Sequence, residues 1–216
     1  MRRKYEASTC AEGLMGYNGS AMVAMTGKNC VAIATDSRLG IRSFSTVAEN
    51  FQKVFKMNDR CFVGFSGLAT DVQTMHQLLR FRMNLYSLKE QHNMQASVVV
   101  NLIGNMLYQH RFSPYLVSPM LAGLNDDGEP IISTYDFIGA KSSANDFVVG
   151  GSAAETLYGV CEALYKPDME PEQLFETTSQ CFLAGLDRTI TAGWGAVIYI
   201  ITEDGTLCRN IVSRMD

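Results

Sequence analysis

The chain opens its ordered pattern with two short apolar runs, residues 20–26 and 30–35, separated by Gly27-Lys28-Asn29. Both are rich in small or β-branched residues, and the separator has turn chemistry, so the pair predicts an antiparallel hairpin. Residues 39–51 mix Ser, Thr, Arg and Glu without a period. Short strands are then expected at 53–55 and 61–65, around Asn58-Asp59. Val72, Met75, Leu79, Met83 and Tyr86 recur at three- and four-residue steps and predict a long amphipathic helix, with Thr70 and Gln73 fitting a capping box at its start. Val99, Leu102, Ile103, Met106 and Leu107 predict a second helix that stops before Pro114.

The middle returns to strands at 116–124, 131–137 and 147–149, with Asn125-Asp-Asp-Gly128 as the strongest hairpin signal in the chain. Gly150-Gly151-Ser152 opens a third helix carrying Leu157, Val160, Cys161 and Leu164, ended by Pro167. Pro171 sits where the first turn of a fourth begins, with Leu174, Thr178, Cys181 and Phe182 on one side. Strands at 196–201 and 207–212 complete an order of strands, two helices, strands, two helices, strands. Four helices and about ten strands give an α+β class; residues 1–19 read as a leader-like segment and 20–216 as a single domain, without internal repeats.

Composition narrows the function classes. At 216 residues, 47% apolar and 19% charged, the chain suits one globular domain with a sizeable core. A net charge of -4 with scattered Lys and Arg does not point to nucleic acid. No stretch has the apolar length of a bilayer span, and Met1-Arg-Arg-Lys-Tyr-Glu6 lacks a signal-peptide core. The six cysteines are far apart in apolar patterns and read as buried free thiols in a reducing compartment. His76, His92 and His110 have no ligand spacing, so no metal or other cofactor is expected.

Candidate chemistry lies at the hairpin's open end. Ser20 follows a glycine at the head of the first strand, and Asp36 ends the second, so antiparallel pairing makes them neighbours. The phrases Val31-Ala-Ile-Ala-Thr-Asp-Ser-Arg38, Phe51-Gln-Lys-Val-Phe55, Phe65-Ser-Gly-Leu-Ala-Thr-Asp71, Asp146-Phe-Val-Val-Gly-Gly-Ser152 and Gly193-Trp-Gly-Ala-Val-Ile-Tyr199 resemble proteasome β subunits, of the N-terminal nucleophile hydrolase superfamily. The likeness runs from Tyr17 to Asp216. Asn84-Leu-Tyr-Ser-Leu-Lys-Glu90, Arg111-Phe-Ser-Pro-Tyr115 and the terminal Met215-Asp216 narrow it to one specialised subunit type of the eukaryotic 20S core.

The resemblance implies a four-layer αββα sandwich of two antiparallel sheets flanked by helices. It also implies a place in a seven-membered β ring, with other β subunits, α-ring subunits and the opposite β ring as partners. The function implied is ATP- and ubiquitin-dependent protein degradation in cytoplasm and nucleus. Active members of the family use an N-terminal nucleophile freed by self-cleavage after a glycine, whose new amine serves as base. Carried over, the nucleophile position falls on Ser20, preceded by Gly19; the aspartate and lysine fall on Asp36 and Lys53, and a positioning serine on Ser152. The family's Arg-Asp-x-x-Ser-Gly becomes Arg188-Thr-Ile-Thr-Ala-Gly193, putting Thr189 and Ala192 where a carboxylate and a hydroxyl belong. Asp187 is two places too early to substitute.

With residues 1–19 attached, Ser20 offers an amide rather than an amine. The site therefore reads as a relic in a non-catalytic, structural subunit, with Asp36 and Lys53 kept as a buried ion pair. Asp136 matches an acidic position lining a neighbour's substrate pocket, with Ala140 beside it; a strand-end turn residue is the plainer reading. The competing expectations are an active serine-type endopeptidase cleaved between Gly19 and Ser20, and a free-standing homomeric hydrolase.

Overall fold

The computed structural model describes residues 17–41 and 44–214. Residues 1–16 of the leader-like segment and the terminal Met215-Asp216 lie outside these. The opening hairpin forms as expected from β1 (Ala21–Gly27) and β2 (Cys30–Asp36), with Met22 opposite Thr35 and Gly27 opposite Cys30. A small hairpin of β3 (Leu39–Ile41) and β4 (Ser45–Ala48) follows, then β5 (Val54–Asn58) and β6 (Cys61–Gly67). Helices α1 (Ala69–Glu90) and α2 (Ala96–Gln109) come next. Strands β7 (Val117–Leu124), β8 (Pro130–Tyr135), β9 (Lys141–Ala144) and β10 (Phe147–Gly151) lead to α3 (Ala154–Leu164) and α4 (Pro171–Leu186). Strands β11 (Ala196–Thr202) and β12 (Gly205–Ile211) close the order.

Two five-stranded antiparallel sheets, β10-β1-β2-β11-β12 and β5-β6-β7-β8-β9, stack face to face. Between them lie Met22, Ala24, Val31 and Ile33 from the first sheet and Phe62, Met120, Ala122 and Ile132 from the second. The intervening residues point the other way. Val23, Met25 and Ala32 pack under α3 and α4 with Leu157, Leu174 and Phe182; Val63, Phe65 and Leu121 pack under α1 and α2 with Met75, Leu79 and Ile103. The result is the expected αββα sandwich. Strands β1 and β2 read as continuous apolar runs because both of their faces are covered.

Three local expectations need correction. The N-cap of α1 is Leu68, without a side-chain bond, so Thr70 and Gln73 form no capping box. Instead Asn18 Oδ1 accepts the Ala69 N–H at 2.9 Å. The segments Leu39–Ile41, Ser45–Ala48 and Lys141–Ala144 form short strands although they carry no alternation, because they are partly solvated pieces whose pairing comes from neighbours. Cys208, unlike Cys30, Cys61, Cys161 and Cys181, is exposed, on the sheet-edge strand β12.

Met120 is fully buried between the sheets and Leu88 is 80% exposed on α1. Met120→Ala is expected to cost about 2–5 kcal/mol, and Leu88→Ala less than about 0.5 kcal/mol, in thermal unfolding of the full-length chain.

Candidate functional site

The site forms where the open end of the β1–β2 hairpin meets the loops entering α3 and leaving α4. Antiparallel pairing carries Asp36, fully buried at the end of β2, to the head of β1, where its Oδ1 accepts the Ala21 N–H at 2.9 Å. Lys53, just before β5, extends its ammonium to the same oxygen at 2.7 Å. Both side chains are nearly sealed from water, with 4% and 0% exposure. Asp36 Oδ2 accepts the Gly193 N–H at 3.3 Å, so the carboxylate joins three separate segments. Burial lowers the Lys53 ammonium below its ordinary 10.5; Asp36 opposes this and Arg38 adds to it.

Ser20 is buried directly beside this pair, but its groups are used by the backbone frame. Its N–H donates to Ser152 Oγ at 3.1 Å, and its carbonyl accepts from the same hydroxyl at 3.1 Å. Ser152 also meets the Thr191 hydroxyl at 2.8 Å. A Cβ added at Gly151 would stand 2.6 Å from Ser20 Oγ, so only glycine fits there. Lys53 Nζ donates to the Gly19 carbonyl at 3.2 Å, immediately before Ser20. Ser20, Asp36, Lys53 and Ser152 are thus brought together. Asp36 nevertheless addresses main-chain amides and Lys53, and an amide nitrogen, its lone pair delocalised into the neighbouring carbonyl, is no base.

The other two positions supply no replacement. Thr189 Oγ1 donates to the Gly185 carbonyl at 3.4 Å and meets Thr156 Oγ1 at 3.4 Å, turning toward the helices. Ala192 is buried as a methyl group in the apolar layer under α3 and α4. Asp187 caps the end of α4 and its side chain is exposed, leaving the carboxylate position vacant of charge. The loop is held instead by arginines: Arg38 Nη1 donates to the Thr191 carbonyl at 2.9 Å, while Arg214 donates to the Asp187 and Thr189 carbonyls at 3.0 and 3.1 Å. Sequence reasoning missed Asn18, Arg38 and Thr191. Arg38 stood in a phrase already singled out, and its position two residues past the buried Asp36 was the available signal.

Asp136 lies apart, after β8. Its Oδ1 accepts the Ile138 and Ala140 N–H groups at 3.0 and 2.7 Å, and its own N–H donates to the Ala140 carbonyl at 3.1 Å. The carboxylate therefore shapes the 135–140 turn. Burial pushes the Cys30 thiol up to about 11 and the Cys61 thiol up to about 12, so neither is a ready nucleophile.

Asp36→Asn strands the Lys53 ammonium in a dry site and is expected to cost about 3–5 kcal/mol at neutral pH. Without Asp36 the folded-state pKa of Lys53 falls further below 10.5, so the folded state binds fewer protons than the unfolded one as pH rises toward that value. The deficit therefore narrows between neutral pH and about pH 10, in urea unfolding at a series of pH values. A deficit that is flat with pH would remove the stranded ammonium as its cause.

The family model described as "Proteasome subunit" matches residues 17–201, a span that includes both sheets up to β11 and the site residues from Asn18 to Gly193. Proteasome subunit beta type-3-A of Arabidopsis thaliana is 54% identical over 200 residues, covering 93% of this chain and 98% of the relative. Proteasome subunit beta type-3 of Picea mariana is 52% identical with the same coverage, and that of Drosophila melanogaster 46% identical over 204 residues, 94% of this chain and 99% of the relative. Similarity at this level, continuous through the hairpin and the loops that converge on it, makes the chain a member of the proteasome subunit family.

Proposed function

We propose that this chain is a β type-3 subunit of the 20S proteasome core and that it is non-catalytic. It builds the seven-membered β ring that encloses the proteolytic chamber for ATP- and ubiquitin-dependent degradation, in cytoplasm and nucleus. The observation that carries the absence of catalysis is the pair Thr189 and Ala192: one hydroxyl is turned toward Gly185 and Thr156, and one methyl is buried in the core. Removing one positioned group from an active site costs on the order of 10²–10³ in rate, and here two belong to one unit. The names of the type-3 relatives support the assignment to a particular ring position.

A subunit that closes a ring by heterologous contacts needs two different complementary faces. Exposed apolar side chains occur on both helical layers: Leu78, Phe81, Leu85 and Leu88 along α1, and Tyr158 and Leu164 on α3. They support burial against flanking β subunits, the α ring and the opposite β ring. The second reading, an active serine-type endopeptidase, rests on the convergence of Ser20, Asp36, Lys53 and Ser152.

The intact mass of the subunit from native particles separates the two. The scaffold reading expects a chain uncut at Gly19-Ser20, apart from processing at Met1; a mass of Ser20–Asp216 overturns it. The half-buried Asp136 is further proposed to line a neighbour's pocket. Asp136→Asn keeps an acceptor for the turn and removes the charge, so trypsin-like cleavage by the particle should fall by about tenfold with assembly intact. Unchanged cleavage would leave Asp136 as a turn residue.

A further inference from the structure

Three residues leading into β1 make contacts out of proportion to their position. Asn18 Oδ1 accepts the Ala69 N–H at 2.9 Å, its Nδ2 donates to the Gly40 carbonyl at 3.0 Å, and its carbonyl accepts the Gly40 N–H at 3.4 Å. Gly19 is buried with φ +68, and an added Cβ would lie 2.8 Å from Thr191 Cβ. Its carbonyl takes the Lys53 ammonium. Ser20 closes the series on Ser152. One short stretch thus ties the start of α1, the β3 strand, Lys53 and the 187–193 loop together.

The start of α1 requires this help. Leu68, its N-cap, has no side-chain acceptor, and the first four N–H groups of a helix have no partner within it. Asn18 supplies one from 51 residues away in sequence. The space between Asn18, Gly19, Ser20, Phe65, Ser66 and Val72 is reduced to a cavity of about 10 Å³, room for at most one water.

We propose that Asn18-Gly19 is a built-in anchor for the head of β1, with Asn18 capping α1 and the Gly19 carbonyl held by the Lys53 ammonium. The Asp36–Lys53 pair then fixes the chain's own backbone on the N-terminal side of Ser20. The inference rests on the uncut-chain reading above.

The test is hydrogen–deuterium exchange on particles purified from cells whose only copy of this subunit is wild type, Asn18→Ala or Asn18→Asp, read over Ala69–Val72, with the intact mass recorded on the same samples. Asn18→Ala is expected to accelerate exchange there about fivefold or more. Asn18→Asp keeps the acceptor for the Ala69 N–H and gives up only the Nδ2–Gly40 bond, so it is expected to exchange more slowly over Ala69–Val72 than Asn18→Ala. Wild-type exchange in the Asn18→Ala particle, or equal acceleration in both variants, overturns the anchor. If Asn18→Ala does not assemble, the Asn18→Asp particle decides: protection at Ala69 supports the cap, and its loss removes it. A mass cut at Gly19-Ser20 overturns the uncut-chain reading and this inference with it. A full-length mass with unchanged exchange overturns the anchor alone.

Discussion

The buried contact between Asp36 and Lys53 is the constraint around which the hairpin's open end is arranged. Two opposite charges 2.7 Å apart with almost no access to water must satisfy each other, and their remaining bonding capacity must also be met. Asp36 does this with the Ala21 and Gly193 amides, and Lys53 with the Gly19 carbonyl. Each bond fixes a different segment: the head of β1, the loop after α4, and the residues before Ser20. Loss of either charge would strand the other in a dry site, which is a physical reason for both to persist without chemistry.

The same geometry turns groups with catalytic potential into structural ties. The hydroxyl of Ser152 joins the amide and carbonyl of Ser20 to Thr191, so groups able to position a reacting centre knit loops together. Arg38 and Arg214 grip the main-chain carbonyls of Thr191, Asp187 and Thr189 and so fix the 187–193 loop. A buried methyl at Ala192 and a threonine turned toward α3 and α4 then fit a packed interior better than an open groove.

The sandwich supplies the rigidity that this arrangement needs. Strands β1 and β2 are covered on both faces, by the second sheet and by α3 and α4, so the open end of the hairpin stands on a frame that cannot tilt without disturbing two apolar layers. Helix α1 buries its inner edge through Met75 and Leu79 while its outer edge exposes Phe81 and Leu88. That two-sided apolar character is costly in a solitary chain and natural in one that joins an assembly.

Much of this was determined by the sequence alone. Periodicity placed all four helices, turn chemistry placed the β1–β2 and β7–β8 hairpins, and antiparallel pairing made Ser20 and Asp36 neighbours, because pairing and helical period are local rules; Lys53 and Ser152 were joined to them only by the family resemblance. That Thr189 and Ala192 carry no carboxylate and no second hydroxyl for chemistry was also legible, since it is a matter of residue type. The tertiary structure decided the rest. The short strands β3, β4 and β9 take their conformation from their partners and carry little signal of their own. The cap of α1 lies on Asn18 rather than Thr70, and Arg38 reaches Thr191 across 153 residues. Such bonds join groups distant in the chain that only the packing of two sheets brings within hydrogen-bonding reach.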